Sequence, residues 1–164
     1  MSFRFLRMAI TAGLIGLVGF SDRSVNAQQT SAPHAAISAT TIPSSVVLQP
    51  NELLLMLQAQ EKPLVLQVGS HTLYAEAHIA GSEYEGPTNS SAGIAALRER
   101  VSALSKDQLI VIYCGCCPWV RCPNIAPAYE QLHAMGFTRV RALYLENNFG
   151  KDWVDKGYPI EKGR

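Results

Sequence analysis

The chain carries little charge and no surplus of either sign: 14 Lys and Arg stand against 13 Asp and Glu in 164 residues, and 16% of the residues are charged. With a formal net charge of +1 and no local run of Lys or Arg, nothing in it suits the neutralisation of a row of phosphates, so no nucleic acid is expected as a partner. Scattered cysteines are also missing. All four, Cys114, Cys116, Cys117 and Cys122, lie in one short stretch, which excludes the distributed disulfide framework of a small stapled domain. What the chain does have is 48% hydrophobic residues, the composition of one ordinary globular domain.

The first 27 residues read as a secretory signal peptide. Arg4 and Arg7 make a positive start, Met8 to Phe20 is an apolar run of 13, and Val25-Asn26-Ala27 is a small-residue cleavage pattern. A run of that length is short against the roughly 20 residues that span a bilayer, so no stable membrane insertion is expected after cleavage. The expected location is periplasmic or secreted. Residues 28–46 are rich in Ser, Thr, Ala and Pro, carry no formal charge and show no period, as in a flexible leader; the folded domain is expected over 47–164. Export places the cysteines in an oxidising compartment, where thiols persist only when protected, reactive by design or metal-bound.

From Val47 onward, helix and strand patterns alternate. Asn51 is expected to cap a helix with Leu53, Leu54 and Leu57 on its apolar face. Leu64 to Val68 reads as a short buried strand. Ile94, Leu97, Val101 and Leu104 recur three or four apart within Ser91–Leu104, the mark of one amphipathic helix. Leu109 to Tyr113 is an unbroken β-branched and aromatic run, which fits a central strand covered on both faces. A helix over Ala126–Met135 stopping at Gly136, a strand over Val140–Leu145 and a short helix over Phe149–Lys156 complete the pattern. The fold class is therefore α/β, with a mainly parallel sheet flanked by helices on both faces.

This order gives the cysteine stretch its meaning. Cys114 is the first residue after the central strand and lies shortly before a helix, at the end of the sheet where such folds bind ligands. Loop N–H groups and the positive end of the following helix favour a thiolate there, lowering a cysteine pKa from about 8.5 into a range of roughly 3.5 to 7.5. Cys114 is thus the first candidate nucleophile, and Cys116 and Cys117 are the others.

The motifs Ala77-His78-Ile79-Ala80-Gly81-Ser82, Ile110-Val111-Ile112-Tyr113-Cys114, Gly136-Phe137-Thr138-Arg139-Val140 and Trp153 with Gly157-Tyr158-Pro159-Ile160, in this order, resemble the rhodanese-like sulfurtransferase domain over about residues 47–161. The resemblance implies persulfide chemistry: a loop cysteine takes a sulfane sulfur from an anionic donor such as thiosulfate and hands it to a thiol or cyanide acceptor, with no cofactor. It also differs from that pattern. Where the family usually has Asp-x-Arg at the end of the early strand, this chain has Gln67-Val68-Gly69. Its loop, Cys114 to Asn124, is longer and richer in thiols, and the interval from Cys116 to Arg121 matches the family's Cys-to-Arg spacing. Pro118 and Pro123 remove two backbone donors from it.

Around the cysteines, Arg121 is a candidate for holding the anionic donor, and Gly115 and Trp119 for lining the substrate. Asn124 is expected to cap the helix that follows, with Pro127 in its first turn. His78 is expected to bond to backbone rather than act as a base, and Trp153 and Tyr158 to serve packing. Three alternatives stand beside sulfur transfer. One is thiol redox chemistry, with Cys117 and Cys122 as a disulfide or a resolving pair. Another is a Cu(I) or Zn(II) module, although Cys-x-Cys-Cys-x4-Cys is not the two separated pairs of a zinc finger. The third is a catalytically inactive recognition domain. A phosphatase or arsenate reductase ranks last, because its loop pattern would need another residue than Gly115.

Overall fold

A computed structural model describes residues 42–59 and 62–163. The expected signal peptide and residues 28–41 of the expected leader lie outside them. Five strands form one sheet: β1 (Val47–Leu48), β2 (Leu64–Gln67), β4 (Glu83–Tyr84), β5 (Ile110–Tyr113) and β6 (Val140–Leu143), in the order β1-β6-β5-β2-β4 with every neighbouring pair parallel. A second, two-stranded antiparallel ribbon joins β3 (His78–Ile79) to β7 (Ile160–Glu161). The helices are α1 (Pro50–Gln58), α2 (His71–Glu76), α3 (Ser91–Val101), α4 (Ile125–Ala134) and α5 (Phe149–Asp152).

The central strand β5 shows why the sheet is covered twice. Successive residues of a strand face opposite ways. Ile110 and Ile112 pack with Leu97 and Val101 of α3 and with Ile125, Ala128 and Leu132 of α4. Val111 and Tyr113 pack with Leu53 of α1, Ile79 and Trp153. All four β5 residues are buried, as the unbroken apolar run demands. Ile42 and the turn at Ser44–Val46 pack on the α3/α4 side, ahead of Val47.

Several local expectations need correction. Gln49, not Asn51, precedes the first helical residue of α1, because Pro50 takes the first position, where a missing N–H costs nothing; the Glu52 carboxylate reaches back to the Gln49 N–H at 2.7 Å. Strand β6 stops at Leu143 rather than Leu145. The last helical stretch is broken at Trp153 into α5 and a 3-10 turn over Val154–Lys156, ended by Gly157 in the left-handed conformation. Gly136 does stop α4, at φ +86°. His78 takes its expected place: Nδ1 lies 2.8 Å from the Tyr74 carbonyl and the ring stacks on Tyr74. Trp153 is wholly buried and donates its indole N–H to the Pro159 carbonyl, with Tyr158 edge-on against it.

Candidate functional site

The loop from Cys114 to Asn124 leaves the C-terminal end of β5 and feeds α4. It is tied down at three places. The Gly115 carbonyl accepts from Phe149 N–H at 3.0 Å, the Trp119 N–H donates to the Leu145 carbonyl at 3.1 Å, and a 3-10 turn closes Trp119–Arg121. Gly115 is left-handed, at φ +75°, and a Cβ there would lie 2.6 Å from Phe149 Cβ. Both its conformation and its surroundings therefore require glycine.

This backbone draws the four sulfurs together as free thiols. Cys114 Sγ lies 3.0 Å from Cys116 Sγ, and Cys116 Sγ lies 3.5 Å from Cys117 Sγ. Cys122 accepts hydrogen bonds from Cys114 and Cys116 and is also bonded to Cys117. Cys114 and Cys122 are buried, at 4% and 3% exposure, while Cys116 and Cys117 are half-open. Cys116 and Cys122 each meet all three other sulfurs, and of the two only Cys116 faces solvent, which makes it the accessible hub.

The charge of the cluster settles at one sulfur. Cys122 accepts from the Cys114 and Cys116 thiols and from the backbone N–H groups of Asn124 and Ile125 at the start of α4, which together pull its pKa down to about 4 against the cost of burial. Cys114 moves the other way, because it donates to Cys116 and Cys122 and is buried. Cys116 is also raised: the bond it accepts from Cys114 lowers it, but its donation to Cys122 and its burial outweigh that. Burial, reinforced by Cys116, pushes Cys117 up to about 11, with the nearby Arg121 charge acting against it.

The early strand supplies the floor. A Cβ on Gly69 would sit 2.7 Å from Cys114 Sγ, so only glycine lets the turn after β2 and the sulfur approach. Gln67 is buried, donates Nε2–H to the Cys114 carbonyl at 3.1 Å and accepts from the Gly69 N–H at 3.0 Å. The neutral Gln-Val-Gly that replaces a charged pair thus serves as a packing surface for Cys114 and its carbonyl.

Asn124 stands at the expected helix start, but its side chain does not cap the helix. Its Oδ1 accepts from Asn89 N–H at 3.0 Å, and its Nδ2–H donates to Cys114 Sγ at 3.4 Å. The buried Thr88 hydroxyl donates to the Asn124 carbonyl at 2.7 Å, pinning the same turn. Asn124, Gly69 and Gln67 thus touch Cys114 itself, whereas the sequence suggested only a helix cap at Asn124 and a missing charged pair at Gln67 and Gly69. For Asn124 the signal was its place at the end of the same loop, where a side chain that does not cap α4 can turn back onto the cysteines.

The expected lining residues are present in different roles. Trp119 packs on Tyr144, ring centres 5.4 Å apart, and walls a cavity of about 10 Å³ between Cys114, Cys117, Cys122 and Leu145. That volume holds one water at most, so the loop closes over its own sulfurs. Arg121 is exposed on the open side, within electrostatic reach of Cys117. For a metal, the fit is poor: two thiolates at about 2.3 Å from a tetrahedral zinc stand about 3.8 Å apart, farther than Cys114 and Cys116. Among the described residues no group of His, Cys, Asp or Glu is arranged to hold a metal ion.

No family model matches the sequence, and no curated protein matches it. Solved structures do. The BH2092 protein of Bacillus halodurans is similar at 21% identity with a TM-score of 0.56, over 72% of this chain and 77% of that one. The rhodanese-like domain of the Alr3790 protein of Anabaena sp. is similar at 23% identity with a TM-score of 0.53, over 71% and 79%; a crystal structure of the Alr3790 protein gives 0.54 at 21% identity, over 71% and 92%. With its parallel sheet, its helices on both faces and its cysteine loop at the end of the central strand, the chain has the rhodanese-like fold.

Proposed function

We propose that this protein is an exported sulfurtransferase that carries sulfane sulfur as a persulfide in the Cys114–Cys122 loop. The observation that carries the reading is the position of Cys116, half-open and in contact with the three other sulfurs. A donor cannot reach Cys114, which is enclosed by Gly69, Asn124 and Cys116. The strand-end cysteine is the first candidate by sequence, but burial moves the sulfur-carrying role to Cys116.

An anionic donor such as thiosulfate approaches the open side, where Arg121 offers a fixed positive charge. Cys116 gives its proton to the Cys122 thiolate, to which it already donates, and its sulfur attacks the outer sulfur of thiosulfate. The S–S bond of the donor breaks, sulfite leaves with the bonding pair, and a Cys116 persulfide remains. A thiol or cyanide acceptor then attacks the terminal sulfur. No cofactor enters these steps.

Intact-mass measurement of reduced protein treated with thiosulfate tests this. The expected result is uptake of one sulfur at Cys116, read as one sulfite released per protein, and it is lost in Cys116→Ser. Loss in Cys114→Ser alone, with Cys116→Ser still loading, would return the role to Cys114. Protein that neither gains sulfur nor releases sulfite would instead support a recognition domain. Export rests on the pattern of Arg4, Arg7, Met8–Phe20 and Ala27 and predicts a mature N-terminus at Gln28.

A further inference from the structure

We infer that Cys114 resolves the persulfide carried by Cys116, so that the cluster releases its sulfur as hydrosulfide and is left with a Cys114–Cys116 disulfide. This rests on the persulfide reading above and adds to it a second activity, the reduction of sulfane sulfur at the expense of a dithiol.

The geometry of Cys114-Gly115-Cys116 carries the inference. In a strand, residues i and i+2 face the same way but stand nearly 7 Å apart along the chain. The left-handed Gly115 folds that interval so that the two sulfurs come within 3.0 Å, about 1 Å beyond a disulfide bond length. This fold of the chain is enforced: Phe149 Cβ blocks any side chain at residue 115, and Phe149 N–H holds the Gly115 carbonyl. Gly69 and Asn124 shape the other end. They leave Cys114 Sγ no opening to an external partner, and the sulfurs of Cys116 and Cys122 are the ones it meets. A buried thiol with that environment can act on a neighbouring sulfur and on nothing larger.

The step balances within the cluster. After loading, Cys122 holds the proton taken from Cys116 and returns it to the terminal sulfur, giving a protonated persulfide and restoring its own thiolate. Cys114 then passes its proton to Cys122 and attacks Cys116 Sγ. The Cys114–Cys116 bond forms and the bond from Cys116 Sγ to the terminal sulfur breaks. That sulfur departs as HS⁻ with the bonding pair. The sulfane sulfur gains two electrons, which the two cysteine sulfurs lose, and an external dithiol returns them by exchange. Asn124 Nδ2–H, 3.4 Å from Cys114 Sγ, faces the charge that develops as Cys114 loses its proton.

The test is a single turnover: full-length protein, reduced and freed of reductant, is mixed anaerobically with thiosulfate. The expected outcome is one sulfite and one hydrosulfide per protein, a mass lower by two hydrogens, and a Cys114–Cys116 bridge in the non-reducing peptide map; dithiothreitol restores the starting state. Cys114→Ser should still release sulfite but retain one sulfur and produce no hydrosulfide, and Cys114→Ala serves if the serine variant does not fold. Sulfite with a retained sulfur in the unaltered protein would overturn the resolving role while leaving sulfur transfer standing. A bridge between any other pair would overturn it as well. Absence of both sulfite and sulfur uptake would instead remove the underlying sulfurtransferase reading, and this inference with it.

Discussion

Tyr113 and Cys114 are consecutive residues, yet their side chains end in two buried clusters of opposite character. Tyr113 points to the α1 side, where its hydroxyl accepts from Ile79 N–H at 3.1 Å and lies 3.1 Å from the Ser82 hydroxyl, while Tyr74 closes the group on the Ser82 carbonyl at 2.6 Å. Every polar atom named there meets oxygen or nitrogen, the arrangement that stabilises a buried polar group without making it reactive. Cys114 points to the α4 side, where its sulfur meets two more sulfurs and one amide. Thiols are weak hydrogen-bonding partners, and these are packed against each other instead of being replaced by apolar side chains. The difference teaches how to tell a structural polar cluster from a chemical one: the first is satisfied by groups that do nothing else, the second by groups able to exchange bonds.

The largest effect expected from breaking this contrast is chemical. Cys116→Ser should lower sulfite release from thiosulfate by at least about a hundredfold, since a serine oxygen cannot replace the nucleophile, while thermal unfolding changes little at this half-open position. Tyr113→Phe should do the reverse: sulfur loading persists, but stability falls by about 1–3 kcal/mol because Ile79 N–H and the Ser82 hydroxyl lose their buried partner. Chemical denaturation of both variants beside a loading assay checks the pair. Equal loss of loading in both would mean the two clusters are not separable.

Next in size is Gly69→Ala. A methyl group 2.7 Å from Cys114 Sγ overpacks the floor of the loop, with an expected cost of about 1–3 kcal/mol. The informative readout is the rate at which the cluster's thiols react with an alkylating agent. Pushing Cys114 away from Gly69 should expose it and raise the number of labelled cysteines. A variant destabilised with labelling unchanged would show that the loop moves as a unit.

Much of the frame was readable beforehand because its cause is local and periodic. Leu97 and Val101 recur on one face of α3, and the β5 run has no polar residue to place outside. The two-residue strands β3, β4 and β7 were not, since two residues carry no period. At the site, the sequence placed Cys114 at a strand end and four thiols on one loop. It could not show that Cys116 is the hub, because that depends on Gly115 meeting Phe149, a residue of another element. Asn124 was misread for a related reason. Its type and place fit a helix cap, and only the approach of Asn89 and Cys114 from distant parts of the chain gives its side chain better partners.

The two clusters also separate by pH. Burial raises the Tyr113 hydroxyl above its ordinary value, so it stays neutral in acid and contributes equally from pH 4 to 8. Cys122, held at about 4 by the Cys114 and Cys116 thiols and the α4 amides, has a folded pKa below its unfolded value of about 8.5. Its contribution to stability is therefore present above pH 8.5 and is lost as pH falls through about 4. The other groups facing it are Cys114, Cys116 and Cys117, all raised and protonated across this range, with the fixed charge of Arg121 beyond Cys117. The gap in unfolding midpoint between the unaltered protein and Cys122→Ser should then shrink steadily from pH 8 to pH 4, while the gap to Tyr113→Phe stays constant. A Cys122 gap that does not change with pH would mean that the negative charge of the cluster does not reside on Cys122, and the proton path through that sulfur would have to be redrawn.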